Sequence, residues 1–168
     1  EVDKIEVVKG PFTVRFGENF GGIINIVTKS NTNLEEGFHG SIETGYETNG
    51  GNSVSGISFT YVTKKVDINV NGSYRDFGDY EDGDGTTVPS SFKTADYSVN
   101  IGVNPTENQR LKFTWRQSFA RDIMHAGLPM DSPYDNSLLG GIDYKIQQIS
   151  DKIESFSVKV YYSYVDHL

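Results

Sequence analysis

Apolar and polar residues alternate along most of this chain. In VDINVNGSYR, residues 66–75, valine and isoleucine alternate with aspartate and asparagine. A period of two places neighbouring side chains on opposite faces of a β-strand, so the alternation predicts strands with one apolar and one polar face. Seven such segments follow one another, with no helix-period sequence between them: 38–49, 55–63, 65–75, 95–104, 110–119, 138–147 and 155–164.

The lengths of these segments and of their connections separate two kinds of β protein. The segments run for about 10 residues, as tilted membrane-spanning strands do, whereas strands of soluble proteins usually have about 5 or 6. The connections at 64–65, 105–109 and 149–152 are short, and those at 76–94 and 120–137 are long. Short turns at one end and long loops at the other are typical of outer-membrane barrels. A soluble antiparallel sheet with one face on a core is the alternative.

Composition narrows the classes of function further. The 168 residues carry a formal net charge of −8, which argues against a nucleic-acid partner because phosphate binding needs a cationic surface. The chain contains no cysteine, so it has no disulfide framework and no thiolate metal site. It has no apolar run near the roughly 18 residues of a membrane helix. The sequence shows no nucleophile–base pair and no phosphate-binding loop, so we expect neither an enzyme nor a bound cofactor.

The opening stretch IEVVKGPFTVRFGENFGGIINIVTK, residues 5–29, is rich in glycine. It resembles the C-terminal part of the plug domain of TonB-dependent outer-membrane receptors. The matching positions include Gly10, Pro11, Gly17, Gly21, Gly22 and Asn25. Proline suits the first position of a short helical turn and glycine its end, while a glycine pair allows close backbone approach. Residues 23–27 are expected to form a short strand buried on both faces.

The resemblance implies an all-β fold: a fragment of a transmembrane antiparallel β-barrel preceded by the C-terminal part of a plug domain. Residues 1–29 would end the plug, 30–37 would be a linker, and 38–168 would form the first seven barrel strands. Barrels of this transporter class have about 22 strands, so seven cannot close. We therefore expect a piece of a longer protein, whose N-terminal part contacts TonB.

The same resemblance implies a function. It indicates a receptor of the bacterial cell outer membrane, in contact with outer-membrane lipids, that takes up a scarce nutrient with TonB-coupled energy. The nutrient would be a metal or a metal chelate. The alternative is a non-transporting structural or adhesive β protein, which would have no reason to carry a plug motif.

Two segments carry candidate metal ligands. The final YYSYVDHL, residues 161–168, resembles a strand of the copper-receptor branch of the family. This resemblance implies that His167 is a copper ligand. The second long loop adds Met124, His125 and Met130, and imidazole with thioether suits the soft cuprous ion. The alternative for these residues is ordinary loop packing of the methionines and a solvated histidine.

Three polar residues are candidates for contact with a larger cargo. If the cargo is an iron chelate such as a siderophore, its large polar surface would contact lumen-facing groups such as Arg75, Arg116 and Tyr161. The acidic run DYEDGDG, residues 79–85, offers carboxylates, but a calcium-binding EF-hand would need glutamate where Ser90 stands. We therefore expect this run to be a solvated loop.

Overall fold

The residues described by the computed structural model are 2–10, 21–28, 34–128 and 130–168. The chain divides into two compact units, 1–34 and 35–168. In both units the described residues form antiparallel strands. No helix within the described ranges has the length and apolarity needed to cross a membrane.

The first unit contains a pair of antiparallel strands, β1 (Val2–Lys9) and β2 (Gly22–Thr28). The predicted burial of β2 on both faces is wrong, because Ile24 and Ile26 have 69% and 58% of their surface exposed. Among the described residues, this two-stranded sheet has no further strand paired to it.

The second unit is built on seven strands: β3 (Gly37–Glu47), β4 (Asn52–Val62), β5 (Val66–Phe77), β8 (Phe92–Val103), β9 (Gln109–Ile123), β10 (Ser132–Ser150) and β11 (Ile153–His167). A small hairpin, β6 (Tyr80–Glu81) and β7 (Thr87–Val88), lies between β5 and β8. The seven strands form one antiparallel sheet in the order β11-β10-β9-β8-β5-β4-β3, which confirms the strands predicted from alternation. Within the described residues β3 and β11 are its edges, so the sheet does not close.

The strands extend beyond the segments that alternate. β9, β10 and β11 have 15, 19 and 15 residues, more than the roughly 10 expected of a membrane-spanning strand. Much of the loop predicted at 120–137 belongs to the ladder, because Arg121 pairs with Tyr134 and Ala120 with Asp135. Main-chain groups pair whatever their side chains are. Alternation therefore marks only the part of a strand whose two faces differ, and it predicts neither these extensions nor the β6–β7 hairpin.

The register brings apolar side chains of all seven strands onto one face, which we call the apolar face. One row across it consists of Phe38, Tyr61, Ile68, Ile101, Phe113, Ile142 and Val160. The two ends of this row are strongly exposed, Phe38 at 86% and Val160 at 63%. The apolar face is thus not the core of this unit.

The opposite face, which we call the polar face, is the more covered of the two in β4, β5 and β8. Thr60, Asp67 and Ser98 are 8%, 6% and 4% exposed. Side-chain hydrogen bonds join neighbouring strands across it: Asn69 Nδ2 donates to Thr60 Oγ1 at 2.8 Å, and Asn71 Nδ2 donates to Ser98 Oγ at 3.0 Å. The sheet therefore reverses the arrangement of a soluble antiparallel sheet, in which the apolar face is the covered one.

An ion pair crosses the polar face near the starts of β5 and β9. Arg110 Nη2 lies 2.7 Å from Asp67 Oδ2, although β8 runs between their strands. The residue of β8 opposite Asp67 is Gly102. A Cβ at Gly102 would overlap both the Asp67 carboxylate and the Arg110 guanidinium. The absence of a side chain at this position is what lets the pair form.

Candidate functional site

The two ends of the seven-stranded sheet differ in their connections. The turns at one end are 63–65, 104–108 and 151–152, and the connections at the other end are 48–51, 78–91 and 124–131. We call the second end the loop end. β11 also finishes there, since His167 stands opposite Asp135 near the start of β10.

All four candidate metal ligands lie at the loop end. Met124 and His125 follow β9, Met130 precedes β10, and His167 ends β11. β10 lies between β9, which Met124 follows, and β11, which ends at His167. The fold therefore brings these residues to one end of the sheet, on either side of β10.

His167 lies on the polar face, with the same parity along β11 as Lys159. The end of the strand is tied down beside it, because Leu168 N donates to the Tyr134 carbonyl oxygen at 3.2 Å and Ser132 Oγ donates to the Leu168 carbonyl oxygen at 2.6 Å. The imidazole itself is exposed. An exposed imidazole on this face can bind a cation or stay solvated.

The loop candidates are also exposed. Met124 and Met130 are 40% and 66% exposed, so their thioethers do not fill a core. His125 is exposed, and its carbonyl oxygen accepts a hydrogen bond from Leu128 N at 3.1 Å. Among the residues that the structure describes, no group of three or more His, Asp or Glu side chains could hold a metal ion. The thioether sulfurs would therefore have to contribute to any metal site formed from these residues.

A chain of hydrogen bonds holds the main chain of Met124. Asp79 Oδ1 accepts hydrogen bonds from Ser90 N at 2.9 Å and Ser91 N at 3.0 Å. The hydrogen bond from the Ser90 main chain, followed by those from the Ser91 side chain and main chain, holds the pKa of Asp79 below its usual value. The Ser91 carbonyl oxygen accepts from Met124 N at 2.8 Å. The sequence analysis did not predict this series of hydrogen bonds, because no sequence pattern links an aspartate to two serines 11 and 12 residues later.

The β6–β7 hairpin is also held by Asn49. Asn49 Oδ1 accepts from Glu81 N at 2.7 Å, and Asn49 Nδ2 donates to the Glu81 carbonyl oxygen at 2.8 Å. The Asn49 side chain thus makes the two main-chain hydrogen bonds with Glu81 that a neighbouring strand would otherwise make. At the hairpin tip, Asp82 Oδ1 accepts from Asp84 N at 3.0 Å and Thr86 N at 2.9 Å, so this carboxylate closes a turn.

The three side chains predicted to face a lumen all lie on the polar face. Arg75 Nη2 is 3.6 Å from Asp96 Oδ2. Arg116 stands opposite Ser98, and Tyr161 is 76% exposed. They belong to β5, β9 and β11. The structure therefore spreads them across the face and does not gather them into one cluster.

The plug-type motif is described in part. The described positions are Gly10, Gly21, Gly22 and Asn25, while Pro11, Gly17 and the predicted helical turn lie outside the described residues. Gly22 has φ 129°, and a Cβ there would lie 2.5 Å from the carbonyl oxygen of Val8 in β1. Asn25 Nδ2 donates to Glu6 Oε2 at 2.8 Å. Glycine at position 22 thus permits the close approach of β2 to β1, and the Asn25–Glu6 hydrogen bond joins the two paired strands.

Comparison with known proteins relates this arrangement to a solved structure. No family model and no curated protein matches the chain. Among solved structures it is similar to the copper transporter OprC, with a TM-score of 0.85 and 26% sequence identity. The match covers 99% of this chain and 26% of that chain, so the chain spans about a quarter of OprC. The chain therefore has an all-β fold that matches a fragment of a β-barrel protein such as OprC, and its sheet does not close within the described residues.

Proposed function

We propose that the chain is part of a TonB-dependent outer-membrane transporter. The observation that carries this proposal is the match of 99% of the chain to the copper transporter OprC at a TM-score of 0.85. The order of plug-type motif and barrel strands supports it, because a structural or adhesive β protein has no reason to carry a plug. On this proposal residues 1–29 end the plug, 30–37 form the linker, and 38–168 begin the barrel wall.

Lipid is the partner that suits the apolar face. On this face Ile42, Phe59 and Val160 are 77%, 59% and 63% exposed, whereas on the polar face the hydrogen-bonded side chains of Thr60, Asp67 and Ser98 are nearly buried. Hydrocarbon on one side and water on the other is the environment of a barrel strand in the bacterial outer membrane. In that membrane the polar face would line a lumen, and TonB, acting on the plug, would supply the energy for uptake.

The cargo that we propose for this lumen is a copper ion. OprC is named as a copper transporter, and this chain carries two imidazoles and two thioethers at its loop end. Both ligand types suit the cuprous ion. His167, on the polar face, would meet a cargo that enters the lumen from the loop end. Copper is a cargo here, and the proposal includes neither a resident cofactor nor a catalytic step.

Copper binding and uptake by the full-length protein test this proposal. We expect His167→Ala to lower Cu(I) affinity by about 10-fold or more, since even supporting residues of metal sites contribute that much, and to reduce copper accumulation by cells. His39→Ala is the matched control, because His39 lies on the same face at the opposite end of the sheet, where its Nε2 is 2.8 Å from the Glu35 carbonyl oxygen. A protonophore should stop accumulation and leave Cu(I) binding unchanged.

Two results would contradict different parts of the proposal. Unchanged Cu(I) binding in both His167→Ala and Met124→Ala would exclude copper as the cargo bound by these residues. Uptake of an iron chelate that depends on Arg75 and Arg116 would then be the function to measure. Accumulation that persists with the protonophore would contradict coupling to TonB.

A further inference from the structure

We propose that Asp79 is a positioning residue for Met124, acting through the main chain of Ser91. The inference rests on the proposed function, because it treats Met124 as a ligand of the soft metal cargo. It assigns an effect on metal binding to a carboxylate that need not touch the metal.

Three hydrogen bonds connect Asp79 to Met124. Asp79 Oδ1 accepts from Ser90 N at 2.9 Å and from Ser91 N at 3.0 Å. The Ser91 carbonyl oxygen accepts from Met124 N at 2.8 Å. Asp79 therefore holds residues 90–91, and Ser91 holds the main chain of Met124.

Met124 needs an anchor because of its place in the chain. It is the first residue after β9. Asp122, two residues earlier, has φ 53°, a left-handed conformation that interrupts the regular extended strand. A methionine side chain is unbranched and flexible, so its sulfur reaches a defined point only if the main chain that carries it is held.

The hairpin in the same loop has an attachment that does not involve Asp79. Asn49 holds Glu81 with two hydrogen bonds of 2.7 and 2.8 Å. Ser90 stays bound to the hairpin as well, because its Oγ accepts from Tyr80 N at 3.3 Å and donates to the Val88 carbonyl oxygen at 3.1 Å. Loss of the Asp79 carboxylate should therefore loosen the main chain of Ser91 and leave β6 and β7 in place. We expect a local change at Met124, which metal affinity can report.

The first test is a double-mutant cycle on the Cu(I) affinity of the full-length protein, measured in competition with a chromogenic chelator. We expect Asp79→Ala to weaken binding about 10-fold, the lower end of what the loss of a supporting residue causes. Met124→Ala should weaken binding at least as much. The double variant should bind as Met124→Ala does, because Asp79 then has no ligand left to position.

Asp82 provides a matched control for the loss of charge. Like Asp79 it is an aspartate of loop 78–91 that accepts two main-chain hydrogen bonds, but its donors are Asp84 N and Thr86 N. Asp82→Ala should leave Cu(I) affinity unchanged. Asp79→Asn keeps an acceptor oxygen in place and should restore most of the affinity that Asp79→Ala loses.

Hydrogen exchange separates this inference from the proposed function. The amide of Met124 should exchange faster in Asp79→Ala than in the wild-type protein without copper, while turn 63–65 at the opposite end is unchanged. Unchanged exchange at Met124, additive losses in the cycle, or an equal effect of Asp82→Ala would overturn the role of Asp79 and leave Met124 a ligand. An unchanged Cu(I) affinity in Met124→Ala would overturn the ligand itself, and the inference with it.

Discussion

Gly102 decides a contact between two other residues. Asp67 and Arg110 meet at 2.7 Å across β8, in space that a Cβ at position 102 would occupy. Water reaches little of the pair, since the side chains of Asp67 and Arg110 are 9% and 27% exposed. Separating a nearly buried carboxylate from its cation costs more than losing an ion pair on the surface.

We therefore expect Gly102→Ala to destabilise the full-length protein by on the order of 2 kcal/mol, the cost of displacing a buried, charged hydrogen-bond partner. Thermal unfolding in detergent measures this. Gly72→Ala is the control, because a Cβ there would lie 3.7 Å from Ile57 Cγ2, an ordinary contact. Equal midpoints for the two variants would show that the space at Gly102 is not needed.

Within a strand, the two faces differ both in chemistry and in how well they are covered. In β5, Ile68 on the apolar face is 36% exposed, while Asn69 on the polar face donates to Thr60 Oγ1 at 2.8 Å. Gln117 is an exception to the alternation, because it falls on the apolar face. Its Oε1 accepts a hydrogen bond there from the Tyr97 hydroxyl of the neighbouring strand. The amide oxygen of Gln117 thus has a partner within the sheet.

The pair Ile68 and Asn69 tests which face meets lipid. In the full-length protein in its membrane, cysteine at position 69 should react with a membrane-impermeant thiol reagent, because the polar face would line water. Cysteine at position 68, at nearly the same depth, should not react until the membrane is dissolved. The two positions share a strand and differ only in face, so each is the control for the other. The reverse pattern of labelling would mean that the faces are assigned wrongly.

For the sheet as a whole, the unpaired edges and the exposed apolar face both favour association with other molecules. Within the described residues β3 and β11 each have one unpaired side, and the apolar row between them ends in strongly exposed side chains. Unpaired strand edges bind other strands, and large exposed apolar patches associate in water.

We expect residues 1–168, produced alone, to aggregate in water and to need detergent to remain in solution. Light scattering with and without detergent checks this. A chain that stays monomeric in buffer and unfolds cooperatively would contradict the membrane assignment, because it would mean that the apolar face can be covered within the chain itself.

The sequence by itself determined that the sheet has seven strands and which face most residues of the alternating segments occupy. Period-two alternation is a local property of an extended chain, so Val66, Ile68 and Val70 could be assigned to one face without knowing any partner strand. The alternation of short and long connections also assigned Met124, His125 and Met130 to the end of the sheet that carries the long loops, because consecutive antiparallel strands reverse direction at each turn.

Only the tertiary structure decided which polar groups meet. Asp67 and Arg110 are 43 residues apart in sequence, and Asp79 and Ser91 are 12 apart. Many polar side chains on the same face could have formed such bonds, since alternation distinguishes polar from apolar and not one polar residue from another. The selection depends on register and on local space, as at Gly102, because a hydrogen bond tolerates only a few tenths of an ångström in distance.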